Sequence, residues 1–168
     1  NHNQRVAGID NLSSCGRVNL DYLVKTFSTD KLKNFTFNEG DIRDISVCHH
    51  TVESGVDYVL HHAAIGSVKA SFDDPDTTHE VNVKGFENIA EAALKHGTQK
   101  IIYASSSAIY GDSDAPKNKE SQILNPLSPY AQSKIENEES AKKLFKEYQR
   151  PIIGLRYFNI YGARQNPN

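Results

Sequence analysis

The chain has 168 residues, 38% hydrophobic and 24% charged, which fits one globular domain or a piece of a larger one and excludes wholesale disorder. Nineteen Lys and Arg against 21 Asp and Glu leave a net charge of −2, which supplies no field for steering nucleic acid or an anionic membrane. No apolar run approaches the ~20 residues of a membrane span, no secretory signal opens the chain, and Cys15 and Cys48 form neither a C-x-x-C pair nor a disulfide framework, so reduced thiols and a cytoplasmic location are expected.

Val6 to Ile9 predicts a buried strand ended by Asp10-Asn11, and Asn19 to Thr29 a helix. Phe35-Thr36-Phe37 predicts a second strand stopped by Glu39-Gly40-Asp41, Ile45 to Ser54 a short crossover helix, and Val56 to Leu60 a third strand. Thr77 to Lys95 places Val81, Gly85, Asn88, Ile89, Ala92 and Ala93 near one helical face, with Gly97 as its stop. Ile101 to Ser105 is the fourth predicted strand, and Gly111 to Pro129 a polar loop long enough to be functional. Pro129 suits a helix start; Tyr130 to Tyr148 continues it with Ile135, Ala141, Leu144 and Phe145 as its apolar side, and Ile152 to Tyr157 is the fifth strand. Runs rich in β-branched and aromatic residues, without strict alternation, fit parallel strands covered on both faces. The strand–helix–strand order then predicts an α/β fold with a doubly wound parallel sheet.

Tyr130-Ala131-Gln132-Ser133-Lys134 sets a phenol and an ammonium four residues apart on one helical face. A cation there favours phenolate over phenol and makes the tyrosine usable as a base, or as an acid in reverse. The fourth strand runs out into Ser105-Ser106-Ser107, and in an open parallel sheet ligands bind beyond the carboxyl ends of strands, where a serine hydroxyl can reach a substrate oxygen. No G-x-S-x-G elbow accompanies these serines, so serine-hydrolase chemistry is a poor competitor.

The pairing of SSSAIYG with YAQSK resembles the extended short-chain dehydrogenase/reductase family, the NAD-dependent epimerases and dehydratases. GIDNLS, EGDIRD, DYVLHHAA, VNVKG and LRYFNIYG match further blocks in the right order. HHAAIGSV and LRYFNIYGARQNPN are most similar to UDP-N-acetylglucosamine 4-epimerases of bacterial surface-polysaccharide pathways. The resemblance implies an NAD-binding Rossmann-type domain with Tyr130 and Lys134 as catalytic tyrosine and lysine, and Ser106 as the serine partner, with Ser107 a second candidate. It implies NAD contacts from Asp10, Asn11 and Ser13 at the adenosine ribose, Asp41 and Ile42 at adenine, Ala63 and Ala64 under the pyrophosphate and nicotinamide ribose, Asn82 in the surrounding shell, and Tyr157 with Phe158 at the nicotinamide. Tyr130 and Lys134 would touch the cofactor as well. A carboxylate at Asp10 would repel a 2′-phosphate, which favours NAD over NADP. Substrate contacts are implied for Gly66, Ser67, Ser106, Ser107, Tyr130 and Asn159, with Arg164 near the nucleotide.

Dehydratases of the family carry acidic groups just after the serine or threonine, where this chain has Ser107 and Ala108, so C4 epimerisation of a UDP-sugar through a 4-keto intermediate is the expected reaction. Epimerisation of UDP-glucose/galactose or of a UDP-uronic acid is the alternative, and a non-catalytic NAD or nucleotide-sugar binding module the second. The histidine pairs His49-His50 and His61-His62 are read as hydrogen-bonded or solvent-facing, with no metal site, and Glu136, Glu138, Glu139, Lys142 and Lys143 as a solvated helix face. The family's opening strand, its G-x-x-G-x-x-G turn and first helix have no counterpart here, nor does its C-terminal sugar-binding portion. The chain, which has no Met, is therefore expected to be an internal fragment: residues 1–168 as a partial NAD-binding and catalytic domain, unstable and inactive by itself. The parent enzyme is expected to be a homodimer through a four-helix contact.

Overall fold

The computed structural model describes residues 4–14, 16–112 and 118–163; Cys15 and Arg164 lie outside them. Strand β1 (Val6–Asp10) is followed by α1 (Val18–Thr26), the short α2 (Thr29–Leu32) and β2 (Phe35–Glu39). Next come α3 (Ile45–Val52), β3 (Tyr58–His61), α4 (Val68–Asp73) and α5 (Pro75–His79). A π-helical turn (Glu80–Lys84) joins α5 to α6 (Gly85–Lys95) without a break. Strand β4 (Lys100–Ser106), a 3₁₀ turn (Ser107–Tyr110), α7 (Pro129–Tyr148) and β5 (Ile152–Tyr157) follow.

Every strand pairing is parallel: β1 with β2 (Asp10 level with Glu39), and β3–β4–β5, with His61 level with Tyr103 and Ser106 level with Tyr157. Parallel strands joined through helices give the expected α/β fold, and they bring Asp10, His61, Ser106 and Tyr157 to the same, carboxyl, end of their strands. Among the described residues the two sets of strands do not pair with each other. They meet through α3, which packs on α6 and touches β1.

The core lies on one face of β3–β5, where Ile101 and Tyr103 pack beneath Phe86, Ile89, Ala90, Ala93 and Ala141 of α6 and α7 and beside Cys48 and Val52 of α3. Gly154 is a fixed requirement there, because a Cβ at that position would stand 2.6 Å from the Tyr103 ring. The expectation of strands covered on both faces is not met: Leu60 is 68% exposed, and Ile153 and Leu155 are also exposed. Continuous apolar runs hold no information about whether both covering layers are present.

Local signals set the element ends. Asp44, Ser67, Asp74 and Ser128 each accept a backbone N–H near the start of the helix that follows. The Asp74 cap and Pro75 begin the long helix two residues before Thr77. Val56 and Asp57 stay outside β3, whose first residue is Tyr58. On α7 the buried side is small and polar (Ala131, Ser133, Lys134, Asn137, Ser140, Ala141), while Phe145 is exposed. Small side chains let this helix approach its neighbours, and its hydroxyls find partners across the gap: Asn82 Nδ2 donates to Ser133 Oγ at 3.1 Å, and Ser140 Oγ donates to Glu87 Oε1 at 2.8 Å.

Candidate active site

The carboxyl end of β4 and the start of α7 form the centre of the site. Lys134 is 2% exposed, and its Nζ donates to the carbonyl of Ala104 at 3.1 Å while standing 5.7 Å from the centroid of the Tyr130 ring. Burial pulls its pKa from the ordinary 10.5 to about 8, so the ammonium persists at neutral pH in a place that disfavours charge. Two residues beyond Ala104, the Ser106 Oγ accepts from the Ala108 N–H at 3.1 Å. That bond uses a lone pair and leaves the hydroxyl proton free to be donated. Ser107, half-buried, opens the 3₁₀ turn beside it. A buried serine, a half-buried phenol and a buried cation thus share one strand end.

The loop after β3 reaches the same place. Asn82 Oδ1 accepts from the Ile65 N–H at 2.8 Å, and its Nδ2 donates to the Ile65 carbonyl (3.1 Å) and to Ser133 Oγ. The Ser133 hydroxyl donates to the Tyr130 carbonyl at 2.7 Å. Asn82, fully buried on the π-helical turn, therefore clips the Ala63–Gly66 segment to the first turns of α7, and its amide is spent on protein partners. Ala63 and Ala64 are half-buried, and a Cβ at Gly66 would meet open space. Ser67 is the α4 cap, accepting from the Ala70 N–H at 3.1 Å. On β5 the Tyr157 hydroxyl is 3.5 Å from His62 Nε2 and the two rings stack; Phe158 and Asn159 follow, both exposed.

The ends of β1 and β2 carry the other set of candidates. Asp10 Oδ1 accepts from the Leu12 N–H at 2.7 Å, with Leu12 at φ 57°, and Asn11 Oδ1 accepts from the Ser13 N–H. Asn11 Nδ2 donates to Asp41, and Arg43 forks onto both Asp41 oxygens at 3.0 and 2.8 Å. These hydrogen bonds, Arg43 foremost, hold the Asp41 carboxyl far below the usual carboxylate range. The Ile42 side chain is 6% exposed and packs in the core, and its carbonyl accepts from Asn88 Nδ2 at 3.0 Å and from Cys48 Sγ at 3.3 Å, which leaves its N–H as the group to offer a ligand.

Three side chains differ from their sequence reading. Glu138 is not solvated: its side chain is 12% exposed and is paired with Arg156, because α7 turns this position toward β4 and β5. Arg156 lies within LRYFNIYG but carried no assigned role, and a strand pattern does not show which cation meets which carboxylate across a fold. Glu136 is half-buried and pairs with His79 at 3.0 Å. His61 is neither hydrogen-bonded nor solvent-facing; it is 5% exposed against Phe86, with Nε2 unpartnered among the described residues. Burial, helped by Lys134, lowers its pKa to about 3 and keeps it neutral. Among the described residues no group of three or more His, Cys, Asp or Glu is placed to hold a metal ion.

A family model described as the NAD dependent epimerase/dehydratase family matches residues 1–168. UDP-glucose 4-epimerase of Mycolicibacterium smegmatis is 34% identical over 164 residues, covering 97% of this chain and 50% of that protein. The structure of the dTDP-glucose 4,6-dehydratase DesIV of Streptomyces venezuelae (a double mutant, with NAD bound) aligns with a TM-score of 0.88 at 30% identity, covering 98% of this chain and 49% of the other. UDP-N-acetylglucosamine 4-epimerase of Methanobrevibacter ruminantium, in complex with UDP-N-acetylmuramic acid, aligns with a TM-score of 0.85 at 32% identity over 98% and 50%. The chain spans about half the length of the curated relatives it matches.

Proposed function

Because the chain belongs to the NAD-dependent epimerase/dehydratase family, we propose that it carries the catalytic strand ends of a nucleotide-sugar 4-epimerase acting on UDP-N-acetylglucosamine and UDP-N-acetylgalactosamine. The carrying observation is the Lys134 ammonium, held by the Ala104 carbonyl beside the Tyr130 ring and two residues from Ser106. A protein that only bound NAD or a nucleotide sugar would have no need of a phenol set beside a buried ammonium and a strand-end serine, since binding alone transfers no proton.

The residues present fit part of the cofactor. The exposed Asp10 carboxylate at the end of β1 has the chemistry to take a ribose diol, Asn11 and Ser13 extend that loop, and the Asp41 region with the Ile42 N–H offers an adenine edge. Ala63 and Ala64 leave room for close approach, with Asn82 holding their loop, and Tyr157 lies level with Ser106 on the neighbouring strand. None of the ten glycines forms a G-x-x-G-x-x-G turn for a pyrophosphate. Held by these residues, NAD would supply a hydride acceptor, and in reverse a hydride donor, for C4 of the sugar.

Tyr130 removes the proton of the sugar 4-hydroxyl as that hydride leaves, and the Lys134 charge beside it stabilises the phenolate. Ser106, whose oxygen already accepts from Ala108, donates its proton to the same sugar oxygen and holds it in reach. The 4-keto sugar turns within the site, Tyr130 gives the proton back to O4, and the configuration at C4 is inverted. Gly66, Ser67, Ser107 and Asn159 line the way to the sugar and its diphosphate in this reading. Ser107 and Ala108 offer no carboxylate for eliminating a 6-hydroxyl, which favours epimerisation over dehydration. The proposal extends to a cytoplasmic homodimer joined through the long helix and α7.

Tyr130→Phe in the full-length protein tests this. Interconversion of the two N-acetylated sugars, followed by their anomeric-proton signals, should fall about 10³-fold with NAD retained; unchanged epimerisation refutes it. Faster turnover of UDP-glucose or a UDP-uronic acid by the parent protein would replace the substrate and keep the chemistry.

A further inference from the structure

Arg156 lies on β5 level with Ser105 on β4. Its Nε and Nη2 donate to the two oxygens of Glu138, both at 2.8 Å, and its Nη1 donates to the Tyr110 hydroxyl (3.1 Å) and the Glu120 carbonyl (3.0 Å). The guanidinium carbon stands 5.1 Å from the Tyr110 ring centroid. Ser105 Oγ donates to the Glu138 oxygen that Nε also meets, at 2.8 Å. Burial pushes the Glu138 carboxyl up, but the bonds from Arg156 and Ser105 outweigh it and hold it below its ordinary value; Glu138 in turn raises Arg156. Ser105 precedes Ser106, Tyr110 ends the turn that Ser107 opens, Glu120 lies between that turn and α7, and Glu138 is one helical turn past Lys134.

The geometry points to Arg156 and Glu138 as positioning residues for the Ser106–Tyr130–Lys134 centre, a role that rests on the epimerase reading above. Tyr130 and Ser106 belong to separate segments, so only cross-links fix the space between them. The Lys134–Ala104 bond is one such link to β4, whereas Ser133, Glu136 and Ser140 tie α7 to Asn82, His79 and Glu87 of the long helix rather than to the strand that carries Ser106. The Glu138 carboxylate, held by Ser105 and forked onto Arg156, is a second link one turn along the helix. Two links a helical turn apart define how this stretch of α7 is turned toward β4, which the bonds to the long helix do not reach. Their bidentate form defines direction as well as contact. As a stabiliser such a pair is poor, since desolvating both charges offsets their attraction, and apolar residues of similar size hold a fold as well or better. Geometry, rather than fold stability, is what this pair supplies.

The test compares Glu138→Gln, Arg156→Met and the double variant Glu138→Leu/Arg156→Met in the full-length protein. The double variant leaves no buried charge unpaired, so it should melt at or above the wild-type temperature. All three should lose kcat on the order of 100-fold, as expected when a reacting group shifts by about 1 Å, while KM for the UDP-sugar stays within about threefold. The double variant should be no slower than the worse single one, because either change breaks the same link. Hydrogen exchange gives a readout independent of turnover: the Ala108 and Ala131 amides, bonded to Ser106 Oγ and Ser128 Oγ, should exchange at least about tenfold faster with global stability intact. A folded double variant with wild-type kcat and exchange overturns the proposal. So does a double variant that cannot fold, which would assign the pair to stability. If the wild-type protein turns over no nucleotide sugar, the enzymatic reading fails, and the exchange at Ala108 and Ala131 still decides whether the pair positions this strand end.

Discussion

Lys134→Met replaces a buried ammonium by an apolar side chain of similar length. In the native state the lysine titrates near 8 instead of its ordinary 10.5 because burial disfavours its charge. At about 1.4 kcal/mol per pH unit of displacement, the charged form weakens the native state by roughly 3 kcal/mol at pH 7. Losing the bond to the Ala104 carbonyl returns about 1 kcal/mol, so the methionine variant should be more stable by about 2 kcal/mol at pH 7. The pH dependence has a definite sign. Between about pH 8 and 10.5 the unfolded chain holds a proton at this lysine that the native chain has released, so wild-type stability rises with pH through that window. The methionine variant lacks that rise, and its advantage should vanish and slightly reverse by pH 10.5. Urea unfolding followed by circular dichroism on the full-length proteins, at pH 7, 8, 9 and 10, measures the difference directly. A variant less stable at pH 7, by an amount that does not change with pH, refutes the argument that burial governs Lys134. The epimerase activity proposed above should be lost in the same variant, the expected opposition between stability and function at a site.

Gly154→Ala places a Cβ 2.6 Å from the Tyr103 ring, and the overpacking should lower stability by about 1–3 kcal/mol in urea unfolding; a change under about 0.5 kcal/mol would show that β5 yields there. Burial pushes the Cys48 thiol up to about 11, so alkylation at pH 8 followed by peptide mass spectrometry should leave Cys48 intact in the native protein and modify it in urea. Asp10→Asn keeps an acceptor for the Leu12 N–H but removes the charge, so NAD affinity in the full-length protein should fall about tenfold while discrimination against NADP shrinks; a titration with equal preference before and after removes Asp10 from the ribose.

Much of the frame was readable from local patterns. Ile152 to Tyr157 is the observed β5 without correction, and Pro129 opens α7 because a fixed φ and a missing N–H suit that position. The Tyr130–Lys134 spacing was readable too, since four residues bring side chains to one helical face whatever surrounds the helix. What surrounds it was not. Glu138 has the same spacing from Lys134 as Lys134 has from Tyr130, and only its position over β4 and β5 makes it a buried partner of Arg156. The small polar face of α7 was hidden for a related reason: Ser133, Asn137 and Ser140 lower the apolar signal that periodicity relies on, and their burial depends on how closely the neighbouring helices approach. Helix α4 escaped because its six residues are too few to show a period.

The seating of Ile42 against Gly85 works as a gauge between two sets of ligand-facing residues. Asp10 ends β1 and Asp41 lies two residues past β2, Ser106 and Tyr157 end β4 and β5, and among the described residues no backbone ladder joins the two sheets. A Cβ on Gly85 would lie 2.5 Å from Ile42 Cδ1, so the separation of the sheets is measured there by the absence of a single methyl group. A dinucleotide stretched from the Asp10 end to the Tyr157 end would depend for its span on that seating, together with the packing of α3 on α6 and the Asn88 bonds to the Ile42 and Arg43 carbonyls. Substitutions at residue 85 would then alter the match between the two ends of the cofactor without touching either.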